Sequence, residues 1–331
     1  MEATQALLFW GFQGTIDHRV SLDEDQFHAL GLEPPAEDQE RFVSRSELNS
    51  MLERLQGLGL TPASTPGGSP LISALTAAAW FSDQHAHAAA RFVGARPMGL
   101  SGYVDSDARN ILSLAQANPA IGGTLALEYR ASNSKLMLAV AEGRWLDEAL
   151  AERSIEAIGN GVFALQPALV GVGIGGLNKA TPSAVLHVIE EMRRLPVPAV
   201  IFATGSSFRQ DVAADRPADF WDRLLEVFAG VDVISLSSAE QRQLDTIWGD
   251  SWIDRLLDAG TLKLAVRHSS KDAVFSQSET GRYVLEDAES ILEVARAEAT
   301  RNAARALTGL GARFDGVLSA ATLLAWRPSA K

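Results

Sequence analysis

Apolar residues run without interruption from Ala6 to Trp10 and give way to the polar, glycine-bearing segment Gly11–His18. That pattern predicts a buried strand feeding a loop. Between Asp23 and Arg41 prolines and charges break any period, so this stretch reads as surface loop with a short helix. Ser44 followed by Glu47 forms a capping box, and Leu48, Met51, Leu52 and Leu55 continue it as a helical stripe. The segment 61–70 (TPASTPGGSP) is the most turn-rich of the chain, and an alanine-rich helix is expected from Leu71 to Phe81. Alternation over Thr124–Tyr129 and Lys135–Val140 predicts two strands around a polar turn, a hairpin that stands apart from any main sheet.

From Ala168 onward the pattern changes. Short apolar runs at 168–172, 199–203, 231–236 and 262–266 alternate with amphipathic segments of helical length. Such alternation predicts a parallel sheet covered by helices on both faces. A last helix is expected from near Ala312 through Phe314, Val317, Leu318, Ala321 and Leu324. No fixed-period repeat and no linker divides the chain, so residues 1–331 read as a single α/β domain.

Composition narrows the function classes. The 331 residues include 41 acidic and 29 basic side chains, a net charge of −12. That balance argues against coating nucleic acid or an anionic membrane, while a local phosphate pocket stays open. With no cysteine, thiolate metal sites, disulfides and cysteine nucleophiles drop out. The start MEATQALLFWGFQG has no basic n-region, and the most apolar stretch, Ala157–Asn178, is broken by Asn160, Gln166 and Pro167. A cytoplasmic protein without membrane spans is the expectation.

Two glycine clusters are candidates for anion binding. Gly171, Gly173 and Gly176 have the G-x-G-x-x-G spacing of a dinucleotide fingerprint, which makes a nicotinamide-dependent oxidoreductase one reading. Against it, the next apolar run ends in Phe202-Ala203-Thr204 without the carboxylate that would hold a ribose. Gly309 and Gly311 precede the last helix, where free N–H groups and the helix dipole favour an anion. His85 and His87 form an H-x-H that diverges on a helix, and neither a P-loop nor a nucleophile elbow is found.

Taken in order, several segments resemble the ribokinase-like, PfkB-type carbohydrate kinases. Gly309-Leu310-Gly311-Ala312-Arg313-Phe314 with Gly316 looks like that family's G-A-G-D-x-F-x-x-G loop. Gly67-Gly68 looks like its di-glycine at the sugar pocket, and Gly11–Asp17 like its N-terminal G-x-x-x-x-D element. Thr204–Arg209 is similar to the D-P-N-Y-R segment, Ser237–Glu240 to the N-x-x-E element and Val266–Ala273 to the V-T-x-G-x-x-G-A strand and turn. The six matches keep the family's order over nearly the whole chain.

The resemblance implies a three-layer α/β/α sandwich with a mainly parallel central sheet and a small β-lid from about 17–22 and 124–140. It implies transfer of a nucleotide's terminal phosphoryl group, from ATP or alternatively ADP with Mg²⁺, to a hydroxyl of a sugar or sugar derivative. Asp17, Gly67, Gly68 and Arg130 would meet the acceptor; Arg267, Ser270, Thr308 and Leu310 would meet the purine nucleotide. Glu240 would order the waters of the metal, and Gly309 and Gly311 would face the transferring phosphoryl group. A homodimer through the lid is compatible with the family.

One departure is chemical. The family places its general base, an Asp, where this chain has Ala312. Alanine has no titratable group and cannot take the acceptor's proton. The chain is therefore expected to be inactive or strongly impaired, either as a natural sugar- and nucleotide-binding pseudokinase or as an active kinase whose base was replaced on purpose. Asp315, about one helical turn on, would need a different approach to serve as base.

Overall fold

The computed structural model describes residues 5–11, 15–36, 39–84, 86–94, 123–132, 134–140, 148–175, 177, 181–204, 219–268, 273–278, 290–291, 293–295, 297 and 310–326. The first half runs β1 (Gln5–Gly11), β2 (Thr15–Leu22), α1 (Glu24–Ala29), β3 (Gln39–Val43), α2 (Arg45–Gly57), β4 (Ala63–Gly67), α3 (Ser69–Asp83) and β5 (Ala88–Gly94). There follow β6 (Gly123–Tyr129), β7 (Lys135–Val140), α4 (Glu148–Leu165), β8 (Leu169–Ile174), α5 (Pro182–Arg193) and β9 (Ala199–Thr204). The remainder is α6 (Phe220–Gly230), β10 (Val233–Ser237), α7 (Ser238–Trp248), α8 (Trp252–Asp258), β11 (Leu264–His268), β12 (Ala273–Gln277) and α9 (Leu310–Ala325).

The central sheet has the order β12-β11-β10-β9-β8-β1-β5. All its neighbours pair in parallel except the edge strand β12, which runs antiparallel to β11. The apolar run in β1 shows why both faces are covered. Ala6, Leu8 and Trp10 point to one side and pack with Ile158, Val162, Val185 and Val188 of α4 and α5. Leu7 and Phe9 point to the other and meet Leu71 and Phe81 of α3 and Phe314, Val317 and Leu318 of α9. Alternation along a strand buried on both sides requires this division.

Gly171 and Gly173 lie inside β8 rather than in a turn before a helix. A Cβ on Gly171 would come within 2.7 Å of Leu7, and one on Gly173 within 2.6 Å of Phe9. These two glycines make room for neighbouring core side chains in the sheet. Gly176 lies outside the described residues.

A second sheet, in the order β3-β7-β6-β2-β4, stands beside the first. Val20, Leu22, Leu125, Leu127, Leu136 and Leu138 line one of its faces, closed by Phe27, Leu30, Leu48 and Leu55 of the α1–α2 region. The expected hairpin of 124–129 and 135–140 is present as antiparallel β6 and β7. Two sequence expectations need correction. Ala63–Gly67, read as turn, is a strand at the edge of this sheet, antiparallel to β2. An edge position tolerates Pro66 and Gly67, which the turn signal rested on. The stretch Asp23–Arg41, read as surface loop with a short helix, ends inside a strand, β3 (Gln39–Val43), and its Phe27 and Leu30 are buried at 0% and 1% exposure. Ser44 and Glu47 form the expected capping box on α2.

Candidate active site

In a parallel sheet the strand ends at the carboxyl edge are where loops gather to bind ligands. Here that edge carries Gly11, Ile174, Thr204, Ser237 and His268. Two helices of the same layer, α3 and α9, begin beside it. Ser73 Oγ donates to the Ala312 carbonyl at 2.7 Å, and a Cβ on Gly316 would meet Ser73 O at 2.5 Å and the Thr76 side chain at 3.1 Å. Residues 312 and 316 thus meet 73 and 76 in the same order, so the helices run parallel and their N-terminal dipole ends lie together. Aligned N–H groups at such ends attract anionic groups.

The side where the sequence expects the acceptor is built from β2, β4, β6 and the start of α3. Register pairs Thr15 with Gly67 and Asp17 with Thr124. A Cβ on Gly67 would collide with the Asp17 carboxylate, so glycine is what lets that group lie against β4. Thr124 Oγ1 donates to Asp17 Oδ1 at 2.6 Å, and Asp17 is 7% exposed. Gly68 caps α3 at φ 85°, a left-handed conformation that favours glycine. The structure therefore brings Asp17, Gly67 and Gly68 together. Thr124, which the sequence reading did not single out, completes the group from β6.

Arg130 stands elsewhere. It follows β6, where Leu22 pairs with Tyr129, five register steps along β2 from Asp17. Its guanidinium donates to the Ser21 carbonyl at 2.9 Å and lies 3.7 Å from Asp23. At about 3.3 Å per residue, five steps separate it from Asp17 by roughly 17 Å.

The opposite side of the edge holds a buried polar cluster. Ser235 Oγ, on β10, donates to Asp315 Oδ1 at 2.5 Å, and His268 Nε2, on β11, lies 3.8 Å from the same oxygen. The His268 ring stacks on Phe314 with centroids 4.5 Å apart. Burial pushes the Asp315 carboxyl up to about 8, the Ser235 hydrogen bond opposes this and the charge of Glu240 adds to it. Burial lowers His268 to about 4. Near neutrality Asp315 is thus a neutral acid beside a neutral imidazole. It faces β10 and β11, whereas Asp17 lies beyond the opposite flank, next to α3. The signal available in the sequence was a lone carboxylate on the otherwise apolar face of a core helix.

Glu240 completes a capping box with Ser237: its Oε2 accepts from Ser237 N at 2.7 Å and its N–H donates to Ser237 Oγ at 3.3 Å. Burial raises its carboxyl, and the backbone hydrogen bond from Ser237 works against that rise. Among the described residues no three His, Asp or Glu side chains gather in a metal cluster. The fit to Mg²⁺ rests on Glu240, a hard oxygen donor in a desolvated position that a cation would relieve. Arg267 alternates with His268 on β11 and so points to the opposite face, where it donates to Ser276 Oγ at 2.8 Å. Leu310 and Gly311 form the first turn of α9, where Ala312 is 6% exposed. Ser270, Thr308, Gly309 and residues 205–209 lie outside the described residues.

The chain is thus a mainly parallel α/β sandwich with two helix N-termini at its carboxyl edge and a small mixed sheet beside it, the architecture expected from the sequence. Comparison with solved structures bears this out. Adenosine kinase from Anopheles gambiae superposes with a TM-score of 0.55 at 14% identity, over 96% of this chain and 95% of that one. Adenosine kinase from Trypanosoma brucei brucei gives 0.56 at 11% identity over 97% and 98%. A phosphofructokinase from Pyrococcus horikoshii gives 0.53 at 11% identity over 97% and 86%. No family model and no curated protein matches the sequence. At these identities the likeness is one of fold.

Proposed function

We propose that the chain is a sugar or nucleoside kinase scaffold that binds a hydroxylated acceptor and a purine nucleotide with Mg²⁺, and that it transfers phosphate poorly as written. The observation that carries this reading is the Asp17 carboxylate lying on Gly67 at the edge where α3 and α9 begin. A carboxylate accepts hydrogen bonds from acceptor hydroxyls, and the adjacent helix ends favour the charge of a transferring phosphoryl group. Glu240 would hold the waters of a magnesium ion, which supplies charge neutralisation for the phosphates. Ala312 supplies no proton acceptor in the first turn of α9. Asp315 does not replace it, since it is held by Ser235 on the far flank.

A second reading, a pseudokinase that senses its ligands, draws on the same Ala312. Thermal-shift measurements separate the alternatives. Stabilisation by ATP or ADP with Mg²⁺, together with a sugar or nucleoside, supports the kinase scaffold. Stabilisation without turnover on a broad acceptor panel favours the sensor. A response to NAD(H) alone would overturn both and return attention to the Gly171–Gly176 segment.

A further inference from the structure

Side chains alternate along β2, so Asp17, Arg19 and Ser21 share one face of the small sheet. Their register partners on β6 are Thr124, Ala126 and Glu128. The contacts show that this face is wired in two stations. Thr124 holds Asp17 at the first, and at the second Arg19 Nη2 lies 2.5 Å from Glu128 Oε2, the oxygen that also accepts from Ser21 Oγ at 3.4 Å. Lys135 stands directly opposite Glu128 on β7. At this second station Arg19 is two residues from Asp17, about 7 Å along the strand, and Glu128, opposite Ser21, is four register steps away, about 13 Å. Its side chains are not sealed, with 31% of Arg19 and 17% of Glu128 exposed.

We infer that Arg19 and Glu128 form a second acceptor-reading station that selects a neutral polyhydroxylated acceptor and rejects one already carrying a phosphate. The inference deepens the proposed function and rests on it. A monosaccharide or nucleoside ribose held at Asp17 extends far enough to reach Arg19, whose guanidinium Glu128 holds from further along the strand. The formal charges of Asp17, Arg19, Glu128 and Lys135 sum to zero, so an arriving dianion meets a guanidinium already engaged by a carboxylate. Binding it would require breaking a charge-assisted contact and placing the phosphate beside Glu128. Hydroxyl groups have no such conflict: the carboxylate oxygens accept from them and the remaining guanidinium N–H groups donate to them.

The test is calorimetric titration of the full chain in the presence of Mg²⁺ and ADP, with a matched panel of free sugars, nucleosides and their phosphate monoesters. Neutral acceptors are expected to bind about tenfold or more tightly than their monoesters, on the scale of one mispaired polar contact. Glu128→Ala, which releases Arg19 and removes the carboxylate opposite Lys135, should move selectivity toward the monoester by a similar factor. Glu128→Gln keeps the shape of the side chain and should move it the same way if the alanine variant does not fold. Equal or tighter binding of monoesters by the parent chain overturns the inference, as does unchanged selectivity in a folded Glu128 variant. Nucleotide binding without binding of any acceptor also overturns it while leaving the nucleotide half of the proposed function standing. Failure to bind nucleotide and acceptor alike rejects the proposed function itself.

Discussion

The hydroxyl of Ser73, in α3, donates to the carbonyl of Ala312, in the first turn of α9, at 2.7 Å. This buried bond ties the helix that follows Gly67 and Gly68 to the helix expected to face the phosphates. Ser73→Ala should lower unfolding free energy by about 1 kcal/mol, the usual net value of one such bond. Gly316→Ala should cost more, because its methyl would press on the backbone of Ser73. Denaturant titration of the two variants checks the order.

Restoring a carboxylate at position 312 is the direct test of the chemistry. Ala312→Asp should raise phosphoryl transfer by about 10²-fold or more, the scale of a positioned general base. Nucleotide affinity should change little or weaken, because a negative charge is added beside the phosphates. A nucleotide-consumption assay over an acceptor panel reads both effects. An unchanged rate in a variant that binds both ligands would favour the pseudokinase.

Gly67→Ala places a methyl where the Asp17 carboxylate now lies. Asp17 must move, so acceptor affinity should fall by about tenfold or more. Nucleotide affinity, which the proposed function assigns to the opposite flank, should hold. Separate titrations of acceptor and nucleotide make the distinction.

Asp315 and His268 give stability a pH dependence of defined sign. The Asp315 carboxyl rises from 3.8 to about 8 on folding, so its contribution is complete at low pH and is lost as pH climbs through about 8. The His268 imidazole falls from 6.5 to about 4, so its contribution is complete above 6.5 and is lost as pH drops through about 4. Between about 4 and 6.5 the two slopes oppose each other; from 6.5 to 8 Asp315 acts alone. Urea midpoints should therefore change little below 6.5 and decline toward 8. Asp315→Asn should abolish the decline and leave a rise between about 4 and 6.5.

Much of the architecture was legible because periodicity reports burial. The strands at β8, β9, β10 and β11 and the helix at α9 follow directly from apolar runs and stripes. The strand at 63–67 was hidden, since glycine and proline signal a turn wherever they occur and only the register with β2 reveals an edge. The cluster of Asp17, Gly67 and Gly68 was legible, each a residue type whose chemistry is local. Thr124 and Ser73 were not, because a lone hydroxyl carries no pattern and their partners lie 107 and 239 residues away in the chain. Ser237 and Glu240, read as a metal element, have the capping-box spacing as well, and the structure uses them in that way.

The face of the central sheet formed by Leu7 and Phe9 is closed partly by residues 314–323 of α9. During synthesis, then, one half of the apolar core waits for a helix encoded some 300 positions after the strand it covers. Until that helix docks, a broad oily surface stays open to water and to other nascent chains, a condition that favours chaperone capture or aggregation. Folding of this chain should thus be governed by the arrival of its last core helix, and fragments ending before Leu310 should be insoluble rather than partly functional.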